Sequence, residues 1–312
     1  MKIKVSIPWL SPNSSLAEWT GTPDSSVNGV QFFVNTPIDN PDVWMVFEEG
    51  IEGDKANIDI RNIFYLNAEI CYPIGRFDDE RGQRFLAQFS RLFTMHDILD
   101  SRKVHVRPFT GWQVNGNHGY SSFSQNGRDK NYFLNLRSVE KSFDLSVICS
   151  NKAFTPEHYL RLKFVSKLKE DLGDRLHWFG NGINKIDDKW PGIAPYRYHL
   201  VIENRFGYDI ISEKLYDSFL GLSMPIYYGA PNVHHYYSED AVQLINIYDY
   251  KRAKRQIIDL IESDMAERNY SYLMQAKNRA ADRDNWTTRM ADIGKNYALA
   301  NESREEVDLH AY

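Results

Sequence analysis

Cysteine is scarce in this sequence, with two residues in 312, Cys71 and Cys149. They stand far apart and form no CxxC pair. They read as two buried free thiols of a reducing compartment, with a single structural disulfide as the alternative. Long hydrophobic runs are also missing, since no stretch approaches the ~20 apolar residues that span a bilayer. The opening MKIKVSIPWL alternates like a first strand and lacks the apolar core of a signal peptide, so a cytoplasmic protein without an anchor is expected. Basic charge is not in excess: 37 Lys and Arg against 42 Asp and Glu give a net charge of −5. That balance argues against a nucleic-acid binder, whose phosphate contacts need a basic surface, yet it leaves room for one anionic ligand held by a few cations. No Ser-His-Asp or Cys-His set assembles from the spacing, and no internal repeat or low-complexity tract stands out.

Core material, by contrast, is plentiful. Hydrophobic residues make up 42% and aromatics 14%, which excludes disorder of the whole chain. The length suits two α/β domains. In the first half, Lys2–Ile7, Gly29–Phe33, Trp44–Phe47 and Asn62–Leu66 are short strand-like runs. Phe85, Leu86, Phe89 and Leu92 share one face of a helix expected over Glu80–Phe93. The polar stretch Gly111–Lys130 has no periodicity and reads as a long loop or linker. A domain boundary is placed at its end, giving domains 1–138 and 139–312, with the last ~20 residues free to pack back on the first.

The second half alternates strand and helix. Phe143–Cys149 is a strand, Pro156 stands at the first position of a helix running to Asp171, and Gly173 stops it. Strands follow at Arg175–Phe179 and Tyr198–Ile202. Ser212 caps a helix to Leu222, Ile226–Tyr228 and Val242–Ile247 are strands, and Tyr250–Ser263 is a helix. Such alternation implies βαβ units around a parallel sheet, a doubly wound domain. Its ligand belongs beyond the carboxyl ends of the strands. The basic run Lys251–Arg255 reads as a solvated helix face, a peripheral membrane or partner contact being the alternative.

The segment Glu203–Lys214, ENRFGYDIISEK, joins a strand end to a helix start. Free N–H groups and the helix dipole there favour an anion such as a diphosphate, and Lys214 adds a charge. Asn204 and Tyr208 supply hydrogen-bonding groups. Glu213 repels phosphate but is suited to orienting a sugar hydroxyl or stabilising positive charge on a sugar ring. The plainer reading makes Glu213 an ordinary first-turn carboxylate and Lys214 a solvated lysine.

From Ile202 to Val233 the chain reads IENRFGYDIISEKLYDSFLGLSMPIYYGAPNV. This resembles the C-terminal signature of the family 10 fucosyltransferases: E-N, then T/S-E-K, an apolar helix and P-I-Y-x-G-x-P, at the same spacing. Ser150-Asn151 with Arg161 downstream is similar to the family's S-N loop and helix arginine. FYLNAEICYP, Phe64–Pro73, looks like its strand ending in an acidic residue. The resemblance implies a GT-B architecture, two Rossmann-like domains facing across a cleft, with GDP-fucose held by the C-terminal domain and the acceptor bound by the N-terminal domain. It implies that Arg161 and Lys214 neutralise the leaving diphosphate. By the same analogy Asn151, Asn204, Tyr208 and Glu213 lie around the nucleotide and sugar, and Glu69 is the base for the acceptor hydroxyl. Glu48 and Glu49 are rivals for that role. Glu203 is another, although its place in the donor domain favours a part in loop structure.

The implied activity is inverting transfer of L-fucose to a glycan or glycolipid acceptor, such as a lipopolysaccharide intermediate. Leaving-group charge is then met by fixed cations. Asp78-Asp79 and Asp187-Asp188 are adjacent pairs rather than an Asp-x-Asp motif, so no obligatory metal or other cofactor is expected. Adjacent histidines point in different directions, so His234-His235 reads as a helix-start or surface pair, with metal ligation as the alternative. Gly180-Asn181-Gly182 either approaches the guanosine or simply turns the chain. Trp112 and Tyr120 are candidates for stacking on an acceptor sugar. Phe206 and Asp209 depart from the family pattern within the loop, and two alternatives stand beside the main one: a different nucleotide sugar, or a non-catalytic nucleotide- or sugar-binding protein.

Overall fold

The computed structural model describes residues 1–70, 77–114 and 127–312. In chain order its elements begin β1 Lys2–Ser6, α1 Ala17–Thr20, β2 Ser26–Val27, β3 Val30–Val34, β4 Val43–Phe47, β5 Lys55–Ile58, β6 Ile63–Leu66, α2 Glu80–Leu86, β7 Arg91–Thr94 and β8 Lys103–His105. The middle of the chain carries α3 Lys130–Asn135, β9 Phe143–Ile148, α4 Pro156–Leu172, β10 Leu176–Phe179, β11 Tyr196–Ile202, α5 Glu213–Leu220, β12 Met224–Tyr228 and β13 Gln243–Leu244. Four helices and a strand complete it: α6 Tyr250–Ile261, α7 Met265–Arg268, α8 Tyr270–Ala281, α9 Trp286–Tyr297 and β14 Glu305–Asp308. None of the described helices is long and apolar enough to cross a membrane.

The described residues fall into two compact units, 1–111 with 284–312, and 112–114 with 127–283. In the first, the strands follow the order β2-β3-β1-β4-β6-β7-β8, parallel except where β2 meets β3. The central strands β4 and β6 are buried at every position, as the inner strands of a parallel sheet covered on both faces must be. Trp44, Tyr65, Phe85, Phe89 and Leu92 form part of one core against that sheet. Phe89 and Leu92 do fill the core, but not from one helix. The helix expected over Glu80–Phe93 ends at Leu86, and Arg91–Thr94 pairs in parallel with β6. The apolar spacing arises from a helix end followed by a strand, both facing the same core.

The second unit is a five-stranded parallel sheet in the order β10-β9-β11-β12-β13. Its core runs from Leu145 and Val147 of β9 through Phe164 and Leu168 of α4 to Ile257 of α6. Only Gln243–Leu244 of the strand expected over Val242–Ile247 pairs with β12.

The unit limits differ from the expected 1–138 and 139–312. Helix α3 belongs to the second unit, because Lys277 Nζ donates to the carbonyls of Phe133 and Leu136 at 2.5 and 2.7 Å. Trp112 is 3% exposed and its ring packs on Phe133 at 5.6 Å. It is therefore a core residue rather than a sugar platform, whereas Tyr120 lies outside the described residues. Residues 284–312 join the first unit: β14 pairs antiparallel with β5, and Trp286 meets Trp19 edge-on at 5.2 Å.

Candidate active site

The chain runs from β9 to β10 on one side and then returns to place β11 on the other side of β9. This reversal makes a switch point between β9 and β11, where the loops leaving adjacent strands diverge and open a crevice. A cavity of about 260 Å3 lies there. It is lined by Ser150 and Lys152 after β9, Gly180 and Asn181 after β10, Asn204 after β11, and by Arg161, Lys189, Glu213, Lys214 and Asp217. Four cations face two carboxylates in that lining, a balance suited to an anionic ligand.

Arg161 sits one turn inside α4, which starts cleanly because Pro156 follows the Thr155 cap. The guanidinium is 5% exposed and Nη1 donates to Asn204 Oδ1, yet Nε has no partner. A buried N–H left open within a cavity is a donor waiting for an acceptor.

The start of α5 is organised differently from the expected anion site. Ser212 caps the helix, accepting from Lys214 N at 3.3 Å. Its own N–H and hydroxyl donate to Glu203, at 2.9 and 2.6 Å. A carboxylate of the chain itself thus occupies the cap region where the sequence pointed to a diphosphate. Lys214 Nζ lies 3.1 Å from Glu213 Oε1 and 3.5 Å from Glu203 Oε2, so it is neither solvated nor unpaired. Burial opposes ionisation of Glu213, but Lys214 and Lys189 outweigh it and hold the carboxyl down at about 2. Burial likewise opposes the charge on Lys214, and Glu213 and Glu203 raise its pKa above the usual value. For Glu203, burial dominates and pushes the pKa up, against the pull of Lys214 and Ser212.

Deeper in the cavity, Lys189 and Asp217 form an ion pair of 2.7 Å, 8% and 1% exposed. Asp217 also accepts from Gln113 N at 2.6 Å. His199 bonds Ser146 Oγ at 2.7 Å, and burial, helped by the Lys189 charge, lowers its pKa to about 3. His158, below its usual value through burial and the charges of Arg161 and Lys214, lines the same space. None of these was singled out from the sequence. Lys152 and His158 flank residues that were, so proximity in the chain was the available signal. Lys189 and Asp217 meet across 28 residues and had none.

Of the expected site residues, Arg161, Asn204, Glu213 and Lys214 come together here. Asn151 does not line the cavity. Its N–H donates to Asn181 O at 3.0 Å, and its side chain fills the space a Cβ on Gly182 would take. Tyr208 is 71% exposed and also stands outside the lining. The Gly180–Gly182 turn needs its glycines, with φ of +146° at Gly180 and +77° at Gly182, and it also lines the cavity.

Glu69 lies in the first unit, exposed, three residues beyond β6. Its rival Glu48 is fully buried at a φ of 52°. Glu48 accepts from Asn67 Nδ2 at 2.9 Å, Ala68 N at 2.5 Å and Glu69 N at 2.8 Å. Its carboxylate is committed to holding the 67–69 turn, which presents Glu69. Glu49 is half-buried, and its carbonyl accepts from Tyr312 N. Among the described residues no group of three or more His, Cys, Asp or Glu stands as a metal-ligand cluster, His234 and His235 included. Cys149 is a buried free thiol, and Cys71 lies outside the described residues.

No family model matches the chain. Over 120 residues it is 28% identical to human 4-galactosyl-N-acetylglucosaminide 3-alpha-L-fucosyltransferase 9, covering 38% of this chain and 33% of that protein. Over 66 residues it is 30% identical to the alpha-(1,3)-fucosyltransferase FucT of Helicobacter pylori, covering 21% and 13%. The match to the first of these spans a third of the relative's length. Among solved structures, an α1,3-fucosyltransferase crystallised with GDP aligns at a TM-score of 0.52 and 15% identity, over 97% of this chain and 91% of that one. The same type of enzyme with GDP-fucose aligns at 0.51 and 14%, over 97% and 93%. The chain therefore has the GT-B fold of the α1,3-fucosyltransferases, with Rossmann-like sheets in both units, and its sequence relatives are α-1,3-fucosyltransferases.

Proposed function

We propose that this protein is an inverting fucosyltransferase that moves L-fucose from GDP-fucose to a hydroxyl of a glycan acceptor, in the manner of the α-1,3-fucosyltransferases it resembles. The observation that carries the reading is the cavity at the β9/β11 switch point, with the buried Arg161 presenting an unpaired Nε beside Lys152 and Lys214. Such a group of fixed cations suits a nucleoside diphosphate and the charge that grows on it as it leaves.

In the proposed step the acceptor oxygen attacks C1 of fucose opposite the leaving group. The bond from C1 to the β-phosphate oxygen breaks, GDP departs with that electron pair, and Glu69 takes the acceptor proton. Arg161 and Lys214 meet the departing charge. Glu213, ionised beside Lys214, faces positive charge on the sugar ring. A metal is not required for this division of labour, so transfer should persist in excess EDTA. A lipopolysaccharide or oligosaccharide intermediate met in the cytoplasm is the acceptor class in this proposal.

The test is calorimetric titration with GDP, UDP and CMP, followed by incubation of GDP-fucose with N-acetyllactosamine and mass analysis of the product. Selective GDP binding and a fucosylated product support the reading. UDP selectivity would replace the donor, and binding of no nucleotide would remove the transferase reading.

A further inference from the structure

A second hollow in the same unit, about 440 Å3, opens at the carboxyl ends of β12 and β13. Three aromatic rings form its wall. Phe206 stacks on Tyr228 at 5.4 Å and 29°, and Tyr248 meets Tyr228 edge-on at 6.3 Å. Phe206 and Tyr248 remain 53% and 70% exposed, which leaves ring surface in water that a ligand would cover. The polar side consists of Asn246, Arg252 and Gln256. Gln256 Nε2 is spent on Leu244 O at 2.7 Å, so its amide oxygen is left as an acceptor. The Tyr228 hydroxyl is buried beside Tyr248, and burial together with that neighbour raises its pKa above the usual value.

Exposed rings beside two amides and a guanidinium match one kind of molecule well. A pyranose offers an apolar C–H face to a ring and a rim of hydroxyls to polar side chains. An acyl chain would leave the guanidinium and amides without partners. The two hollows draw on the same loop after β11, since Phe206 follows two residues after Asn204, which lines the first cavity. We propose that this hollow is a saccharide subsite that holds an outer ring of the glycan acceptor. The word acceptor rests on the transferase reading, whereas the saccharide chemistry does not.

The test uses the full chain and saturation-transfer NMR with two probes, methyl β-galactoside and methyl N-acetyl-β-glucosaminide. Phe206→Ala and Tyr248→Ala remove exposed rings and spare the core, and Tyr248→Phe keeps the ring. Saturation transfer should reach a probe with the wild type and with Tyr248→Phe, and fall at least about fivefold in each alanine variant. GDP affinity by calorimetry should stay within about twofold throughout. No transfer to either glycoside with the wild type overturns the proposal, as does unchanged transfer in the alanine variants. A loss of about tenfold in GDP affinity in those variants also overturns it and gives the hollow to the nucleotide. Saccharide binding by a wild type that ignores GDP would sink the transferase reading and leave the subsite standing.

Discussion

Glu203 closes the start of α5 by accepting from both the main-chain N–H and the hydroxyl of Ser212, at 2.9 and 2.6 Å. Lys214 approaches the same carboxylate at 3.5 Å. A buried acceptor shared in this way is costly to delete, because its donors lose water and partner together. Glu203→Ala should lower stability by about 3 kcal/mol, and Glu203→Gln, which keeps an oxygen for Ser212, by about 1 kcal/mol. Urea denaturation checks the order, and an alanine variant as stable as wild type would show that the cap is held by something else.

Arg161 and Lys214 both line the cavity, but their removal should have different consequences. Arg161→Ala should weaken GDP binding by roughly 1.5–3 kcal/mol, the worth of a charge-assisted contact. Lys214→Ala should weaken it similarly and also lower the melting temperature, since Glu213 and Glu203 lose the cation between them. Calorimetry with GDP and a thermal melt on each variant separate the two effects. Undiminished GDP affinity in Arg161→Ala would remove that residue from the diphosphate.

His199 gives the fold an acid limit. Its folded pKa is lowered to about 3 from an unfolded 6.5, by burial first and by the Lys189 charge second. Below pH 6.5 the unfolded chain binds a proton there that the folded chain refuses. The stability this neutral histidine contributes is therefore complete above pH 6.5 and lost as pH falls, at about 1.4 kcal/mol per pH unit. Glu213 adds a second loss only below 4.5, on the way down to about 2. Between pH 6.5 and 4.5 the His199→Gln variant should show a shallower slope of stability against pH than the wild type. Parallel slopes would mean that His199 is protonated in the folded protein.

Gly180 tests how tightly the cavity floor is built. A Cβ there would stand 2.5 Å from the Cys149 carbonyl oxygen, a backbone atom that cannot swing away. Gly180→Ala should cost about 1–3 kcal/mol and lower GDP affinity with it, because the Gly180 and Asn181 edge must shift. Stability and affinity both at wild-type values would show that the turn relaxes without disturbing the site.

What was legible beforehand followed from contiguity in the chain. The run Ile202–Val233 carries a strand end, a cap, a helix and the next strand in one stretch, so Asn204, Glu213 and Lys214 could be placed from their spacing. Arg161 was reachable only through the resemblance, as the arginine downstream of Ser150-Asn151. The Lys189–Asp217 pair was not legible, since it forms only when the connection between β10 and β11 meets α5. Asn151 shows the opposite failure: it sits at the expected position, but the close approach of Gly182 claims its side chain. In the first unit, Phe85, Phe89 and Leu92 face one core, and that shared burial imitated a single helix across the turn into β7.

Glu69 and Glu48 make the sharpest pair of variants. Glu48 accepts N–H bonds from Ala68 and Glu69 and so holds the turn, while Glu69 itself stays exposed. Glu69→Gln should reduce transfer by about 10²–10⁴-fold, the usual worth of a general base, with GDP affinity unchanged. Glu48→Gln should reduce stability by about 1–3 kcal/mol, since its buried donors lose a charged acceptor. Its transfer rate should fall through displacement of Glu69 rather than through loss of a base, so the pH-rate profile should keep its acid limb. That limb should disappear in Glu69→Gln. A fully active Glu69→Gln enzyme would withdraw the base assignment and turn attention to Glu49, the remaining carboxylate at the end of β4.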